Sequence, residues 1–276
     1  MRTIPDSFDP TTVALIDARL DSIRAKPVSL CHVIESGSRA WGFPSPDSDY
    51  DCRFIYVRPM ADYLSPWPKR DVIETPLDGD LDVNGWDLAK AMQLMLKGNA
   101  VTIEWLQSPI VYETEPGFRE AMLALAVRSS NWGGLVRHYF HHGRAHLKDH
   151  FGQGSDAKMK KIFYALRPAL MLRWLGMRPG NAVPPMDLPT LLTQSSVSRD
   201  VMDLCEDLIA RKAMTRERDA APVPQSLIGF IEAELAKAEP LCAARAQTLD
   251  PEIKEQAETL FRETVIRLDT SRSGAA

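Results

Sequence analysis

The 276-residue chain reads as an α+β protein, with a small α/β module built on a mixed sheet followed by an α-helical part. Three observations predict this. Short β-rich runs fall before about residue 112. Beyond about residue 113, apolar residues recur at helical spacing. Breakers then divide the helical stretches at Gly152/Gly154, Pro179-Gly180, Pro184-Pro185, Pro222 and Pro240.

Val13, Leu15, Ile16, Leu20 and Ile23 give a first helix over 12–25, ended by Pro27. Val28 to Ile34 has the length and composition of a buried strand. Glu35 to Gly42 is a small-residue turn, and Tyr50 to Val57 is a second strand. Arg70–Glu74 and Leu81–Val83 are weaker strands on either side of a turn at Pro76–Gly79. Asp87 is placed to cap a helix that runs through Leu94–Leu96 and closes near Gly98-Asn99. Helices are then expected over 116–128, 131–150, 156–176, 197–215, 224–238 and 250–268. The expected organisation is an α/β module over 1–112, a helical accessory domain over 113–270 and a flexible tail over 271–276. No internal repeat of fixed period is visible.

Composition is that of a globular protein, 45% apolar and 25% charged. No apolar run is long enough for a membrane span, and the first ten residues lack the apolar core of a secretory signal. Cys31, Cys52, Cys205 and Cys242 lie far apart, which fits a reducing cytoplasm better than a disulfide scaffold or zinc ribbon. The net charge of −4 hides an uneven layout. Residues 1–112 sum to −5, residues 113–180 to +6 and residues 181–276 to −5. Five of the six histidines lie in the basic middle segment. That segment is either a solvated helical surface or a local site for a polyanion.

One constellation carries chemistry. Gly37-Ser38 ends the first strand, and Asp49-Tyr50-Asp51 opens the second ten residues later. Carboxylates two apart on a strand share a face, where they repel unless a cation joins them. Oxygen ligands alone favour Mg²⁺. Gly37 lets backbone N–H groups approach an anion, and Ser38 adds a hydroxyl. Phosphate donors beside a metal-binding carboxylate pair are the equipment of phosphoryl or nucleotidyl transfer.

This pattern resembles the signature of the DNA polymerase β nucleotidyltransferase superfamily. Longer words are similar to one branch, the RlaP-type nucleotidyltransferases of a predicted RNA repair pathway. They are Glu35 to Asp51, Arg53 to Val57, Asn84 to Leu88, Lys97 to Asn99, Glu104 to Leu106 and Lys161 to Pro168. The resemblance covers residues 28–178. It implies a polymerase β-like catalytic fold and a third carboxylate on a later strand. Asp82 matches best; Asp80 lies beside it, and Asp87 reads as a helix cap. Asp49, Asp51 and Asp82 would then hold Mg²⁺ or Mn²⁺, with Asp82 helping to deprotonate the attacking hydroxyl. Gly37 and Ser38 would hold the phosphates of a nucleoside triphosphate, ATP first among them. Arg39 would reach a phosphate or form an ion pair within the module.

Other residues have two readings each. Lys90 and Lys97 share a helix face that could line the nucleotide cleft or simply meet solvent. Trp105 suits packing more than base stacking. His138, His142, His146 and His150 recur every four residues and suit a solvated or RNA-facing stripe more than a metal site. Lys158, Lys160, Lys161 and Arg167 extend the positive charge. Lys161 beside Tyr164, with Pro168 on the same face, would grip a phosphate and stack a base. The leading expectation is transfer of a nucleoside monophosphate to an RNA 3′ end, possibly on tRNA, through the 113–180 segment. Protein AMPylation, nucleotidylation of a small molecule, and nucleotide or RNA binding without turnover are the alternatives. The acidic helices after residue 180 read as a buttress or an interaction surface.

Overall fold

A computed structural model describes residues 2–151, 156–216, 220–242 and 248–273. The first half runs α1 (Pro10–Arg24), β1 (Ser29–Glu35), α2 (Gly37–Ala40), β2 (Tyr50–Val57), α3 (Met60–Tyr63), β3 (Val72–Glu74), β4 (Leu81–Asp87), α4 (Leu88–Leu96), α5 (Ala100–Gln107) and β5 (Val111–Thr114). The second half runs α6 (Phe118–Ser129), α7 (Trp132–Phe151), β6 (Asp156–Lys158), α8 (Met159–Met177), α9 (Leu188–Gln194), α10 (Arg199–Met214), β7 (Ala220–Pro222), α11 (Gln225–Cys242) and α12 (Pro251–Ser273). The fold is mixed α/β, as the sequence predicts.

Local chemistry sets the helix starts. Asp9 accepts from the N–H groups of Thr11 and Thr12 with Pro10 at the first helical position of α1. Asp87 accepts from Ala89 N–H and caps α4, as its sequence context suggests. The main sheet is mixed, in the order β3-β4-β2-β1-β5. Only β2 and β4 pair in parallel; the other pairings are antiparallel.

Alternation along β2 divides the sheet into two faces. Tyr50, Cys52, Phe54 and Tyr56 join Ile16, Leu20 and Ile23 of α1 in one apolar cluster. Gly85 of β4 makes room for the Phe54 ring, which any Cβ there would overlap. Ile55 and Val57 point the other way, into a cluster that includes Leu88, Met95, Phe163, Leu166, Leu235 and Leu268. By the same alternation Asp51 and Arg53 lie on this second face, toward the helices.

Several elements escape sequence reading. β5 is four residues long and exists by pairing with β1; the boundary expected at residue 112 falls inside it. β6 and β7 are three residues each and stabilise one another across the helical part. Helices α5 and α9 were not foreseen. Pro240 lies inside α11 rather than between helices. α12 continues to Ser273, so residues 271–273 are helical rather than part of a tail. Gly152, Gly154 and residues 274–276 lie outside the described residues.

Candidate active site

Asp51 and Asp82 are direct register partners across parallel β2 and β4. One guanidinium closes the gap between them. Arg53 Nη2 donates to Asp51 Oδ1 at 2.9 Å and to Asp82 Oδ2 at 2.7 Å. Its Nη1 donates to the Asp82 carbonyl at 2.9 Å, and Asn84 donates to the other Asp82 oxygen. Two facing carboxylates would repel; the single positive charge of the arginine two residues along β2 offsets part of that repulsion. Asp49 stands just before β2 and is exposed, so of the DxD pair only Asp51 is in the strand.

The turn after β1 fits against this pair. Gly37 has φ +61°, in the left-handed region, and a Cβ there would overlap Asp51 Oδ2 and stand 2.9 Å from Asp51 Cγ. Ser36 N–H donates to the Asp51 carbonyl at 2.8 Å, tying the turn to β2. α2 is a single turn, so the N–H groups of Gly37 and Ser38 have no acceptor inside it.

Ser38 is buried, and its hydroxyl donates to Ser48 Oγ at 2.9 Å. Ser48 Oγ also lies 2.9 Å from Ser45 Oγ, which accepts from Lys212 Nζ at 3.1 Å. Lys212 comes from α10 and is only 1% exposed. A helix after residue 180 therefore reaches the hydroxyl chain that ends on Ser38. Arg39 donates to the carbonyls of Ser48 at 2.6 Å and Asp49 at 3.2 Å, and lies 3.8 Å from the Tyr50 ring centroid. It braces the loop that carries Asp49.

Glu35 was missed by sequence reading. It is fully buried, accepting Asp51 N–H at 2.8 Å and the Tyr112 hydroxyl at 2.7 Å. Burial raises its carboxyl to about 7, although both hydrogen bonds pull the other way. A glutamate closing a β-rich run was the only available signal, because Tyr112 lies 77 residues away.

Other candidates fall elsewhere. The Asp80 carbonyl accepts from Tyr50 N–H. The Asp87 carboxylate takes Arg58 and Tyr63 besides its cap. Lys90 pairs with Asp71, and Lys97 is exposed beside a different cavity lined by Met92, Leu96 and Phe261. Trp105 is buried against Trp86, centroids 4.5 Å apart.

Three arginines of the basic middle segment meet acids of the last third. Arg128 pairs with Glu252, Arg144 with Glu239 and Arg173 with Glu234. Arg167 pairs with Glu104 at 3.0 Å and donates to the Met186 carbonyl. Lys160 and Lys161 lie 5.9 and 5.7 Å from the Tyr164 ring centroid. His138, His142 and His146 lie along one side of α7. The side chains of His150 and Lys158 lie outside the described residues.

Asp51 and Asp82 offer oxygen donors that already converge on one cation, Arg53, and such a donor set fits Mg²⁺ or Mn²⁺. Among the described residues no three His, Cys, Asp or Glu side chains are gathered as metal ligands, so Asp49 does not complete a ready-made cage. Among them, too, no helix is long and apolar enough to cross a membrane.

Comparison with known proteins gives the chain its family. The chain belongs to the RNA repair pathway DNA polymerase beta family, RlaP, which it matches over residues 14–263. Membership places it with the polymerase β-type nucleotidyltransferases. It is 39% identical over 210 residues to YcgL of Bacillus subtilis (strain 168), described as an uncharacterized protein, covering 76% of this chain and 80% of that one. The crystal structure of a nucleotidyltransferase-like protein from Exiguobacterium sibiricum 255-15 aligns over 84% of this chain and 77% of its own, at 11% identity and a TM-score of 0.29.

Proposed function

We propose that this protein is a metal-dependent nucleotidyltransferase that moves a nucleoside monophosphate, AMP first among the candidates, to a hydroxyl at an RNA 3′ end in the cytoplasm. The observation that carries the reading is the register pairing of Asp51 with Asp82 beside the Gly37 turn. The RNA acceptor is supported by the family's description as part of an RNA repair pathway.

Asp51 and Asp82, with Asp49 from the preceding loop, would hold Mg²⁺ or Mn²⁺. When bound, such an ion would supply charge neutralisation for the triphosphate and a lower pKa for the attacking hydroxyl. The N–H groups of Gly37 and Ser38 meet the β- and γ-phosphates. The acceptor oxygen attacks the α-phosphorus, its proton passes to Asp82, and the bond to pyrophosphate breaks. Arg53 must yield part of its hold on both carboxylates for this to happen, and the Asp82 carbonyl keeps it nearby.

The test is ATP labelled at the α-phosphate, incubated with Mg²⁺ and total RNA. Wild type should label RNA and release an equal amount of pyrophosphate. Asp51→Asn and Asp82→Asn should each lose at least about 10³-fold, the scale set by removing a main charge-stabilising group. Label on protein alone would overturn the RNA acceptor. Absence of pyrophosphate release from any nucleoside triphosphate, across RNA, protein and small hydroxylated acceptors, would overturn the transferase reading.

A further inference from the structure

A second cavity, of about 220 Å³, opens between the end of α2, α5, α7 and α8. Its walls are aromatic and histidine rings: Trp41, His138, His142, His146 and Tyr164, closed below by the Glu104–Arg167 ion pair. It begins one helical turn from the phosphate turn, since Trp41 N–H donates to the Gly37 carbonyl at 2.9 Å. The volume lies below the usual range for a drug-sized ligand and suits one flat, ring-sized group.

The polar groups narrow the chemistry. Partial desolvation by the cavity walls lowers both His138 and the more open His142, so at neutral pH each ring carries one donor and one acceptor. The Trp41 indole N–H is buried and has no hydrogen-bond partner among the described residues. Glu104 is already committed to Arg167 and to the Tyr139 hydroxyl at 2.8 Å, so it does not confront the ligand as a free charge. A transition metal fits poorly. The His138 and His142 rings lie parallel with centroids 6.1 Å apart, and among the described residues no three His, Cys, Asp or Glu side chains gather as metal ligands. Flat walls, mixed donors and acceptors, and lysines 160 and 161 against Tyr164 are what a nucleobase with a phosphate at its edge requires.

We propose that this cavity receives a nucleobase, either that of the nucleoside triphosphate whose phosphates meet Gly37 and Ser38 or that of the acceptor strand's terminal nucleotide. The proposal rests on the transferase reading above. It gives the histidine stripe of α7 a direct part in substrate recognition. Stacking on such walls is worth about 1–3 kcal/mol per base, so losing two of them should weaken binding about ten-fold or more.

Binding constants decide it, measured for adenosine, ATP, inorganic tripolyphosphate with Mg²⁺, and a short oligoadenylate. The variants are His142→Ala, which is exposed and leaves the core intact, and His142→Ala combined with Tyr164→Leu. Adenosine should weaken about ten-fold or more in the double variant, together with ATP, the oligoadenylate or both. Tripolyphosphate should stay within about two-fold, because its site is separate. ATP weakened alone assigns the pocket to the nucleotide substrate, and the oligoadenylate weakened alone assigns it to the acceptor. Wild-type affinity for adenosine, ATP and the oligoadenylate in both variants would overturn the proposal. Failure of the transferase reading looks different: tripolyphosphate binding indifferent to Asp51→Asn, while adenosine still answers to His142→Ala.

Discussion

Gly37 and Asp51 are fitted together without a gap, because any side chain on Gly37 would occupy the place of an Asp51 carboxylate oxygen. The positive φ of Gly37 and the orientation of Asp51 are thus one structural fact rather than two.

Gly37→Ala follows from that contact. A non-glycine residue in the left-handed region costs about 1–2 kcal/mol, and the methyl must also push Asp51 aside. Thermal unfolding should show a loss of about 1–3 kcal/mol in a protein that still folds. Pyrophosphate release should fall by about 100-fold or more, as expected when a catalytic group is displaced by about an ångström. Unaltered turnover would separate the turn from the chemistry.

Arg53→Met leaves Asp51 and Asp82 facing each other with no cation between them. The metal-free variant should lose stability by about 3 kcal/mol, since breaking a partly buried pair strands the charge that remains. Mg²⁺ should restore more of that loss than it adds to wild type. Calorimetric midpoints with and without Mg²⁺ check this, and an equal metal-induced rise in both proteins would argue against a shared cation position.

Lys212→Met tests the hydroxyl chain from α10. The apolar stem is kept, and the three serines still bond to one another. Stability should change by no more than about 2 kcal/mol. The affinity for Mg²⁺-tripolyphosphate should drop about ten-fold, the scale of one charge-assisted hydrogen bond. A variant that binds tripolyphosphate as wild type does would confine Lys212 to packing.

Glu35 makes stability depend on pH. Its carboxyl lies at about 7 in the fold against an ordinary 4.5. A carboxyl raised by folding stabilises while it is protonated. The contribution is complete below about 4.5, declines as pH rises toward 7, and is gone above that. The whole change is at most on the order of 3 kcal/mol. Glu35→Gln keeps an acceptor for Asp51 N–H and cannot ionise. Unfolding midpoints taken from pH 4.5 to 8 should fall for wild type and run flatter for the variant.

The sequence was informative where the physics is local. The strand lengths of β1 and β2, the cap at Asp87 and the spacing from Gly37-Ser38 to Asp51 depend on neighbours a few residues apart. Asp82 stands out because the family resemblance implies a third carboxylate on a later strand, and Asp82 lies on a short β-rich run ahead of a helix cap. Arg53 and Glu35 were passed over, although both adjoin the motif. Nothing in their immediate neighbourhood reveals that one bridges two strands or that the other meets Tyr112.

By itself, the sequence determined the mixed sheet followed by helices, the family, and the short words that carry Asp49, Asp51 and Asp82. The tertiary structure decided which charges meet. It set Asp82 opposite Asp51, drew Lys212 to Ser45 across 167 residues, and paired Arg128, Arg144 and Arg173 of the basic middle segment with the acidic helices. The reason is that periodicity along a chain fixes which face a side chain occupies. Its partner there is chosen by strand register and by the packing of distant helices, and no short stretch of sequence encodes either.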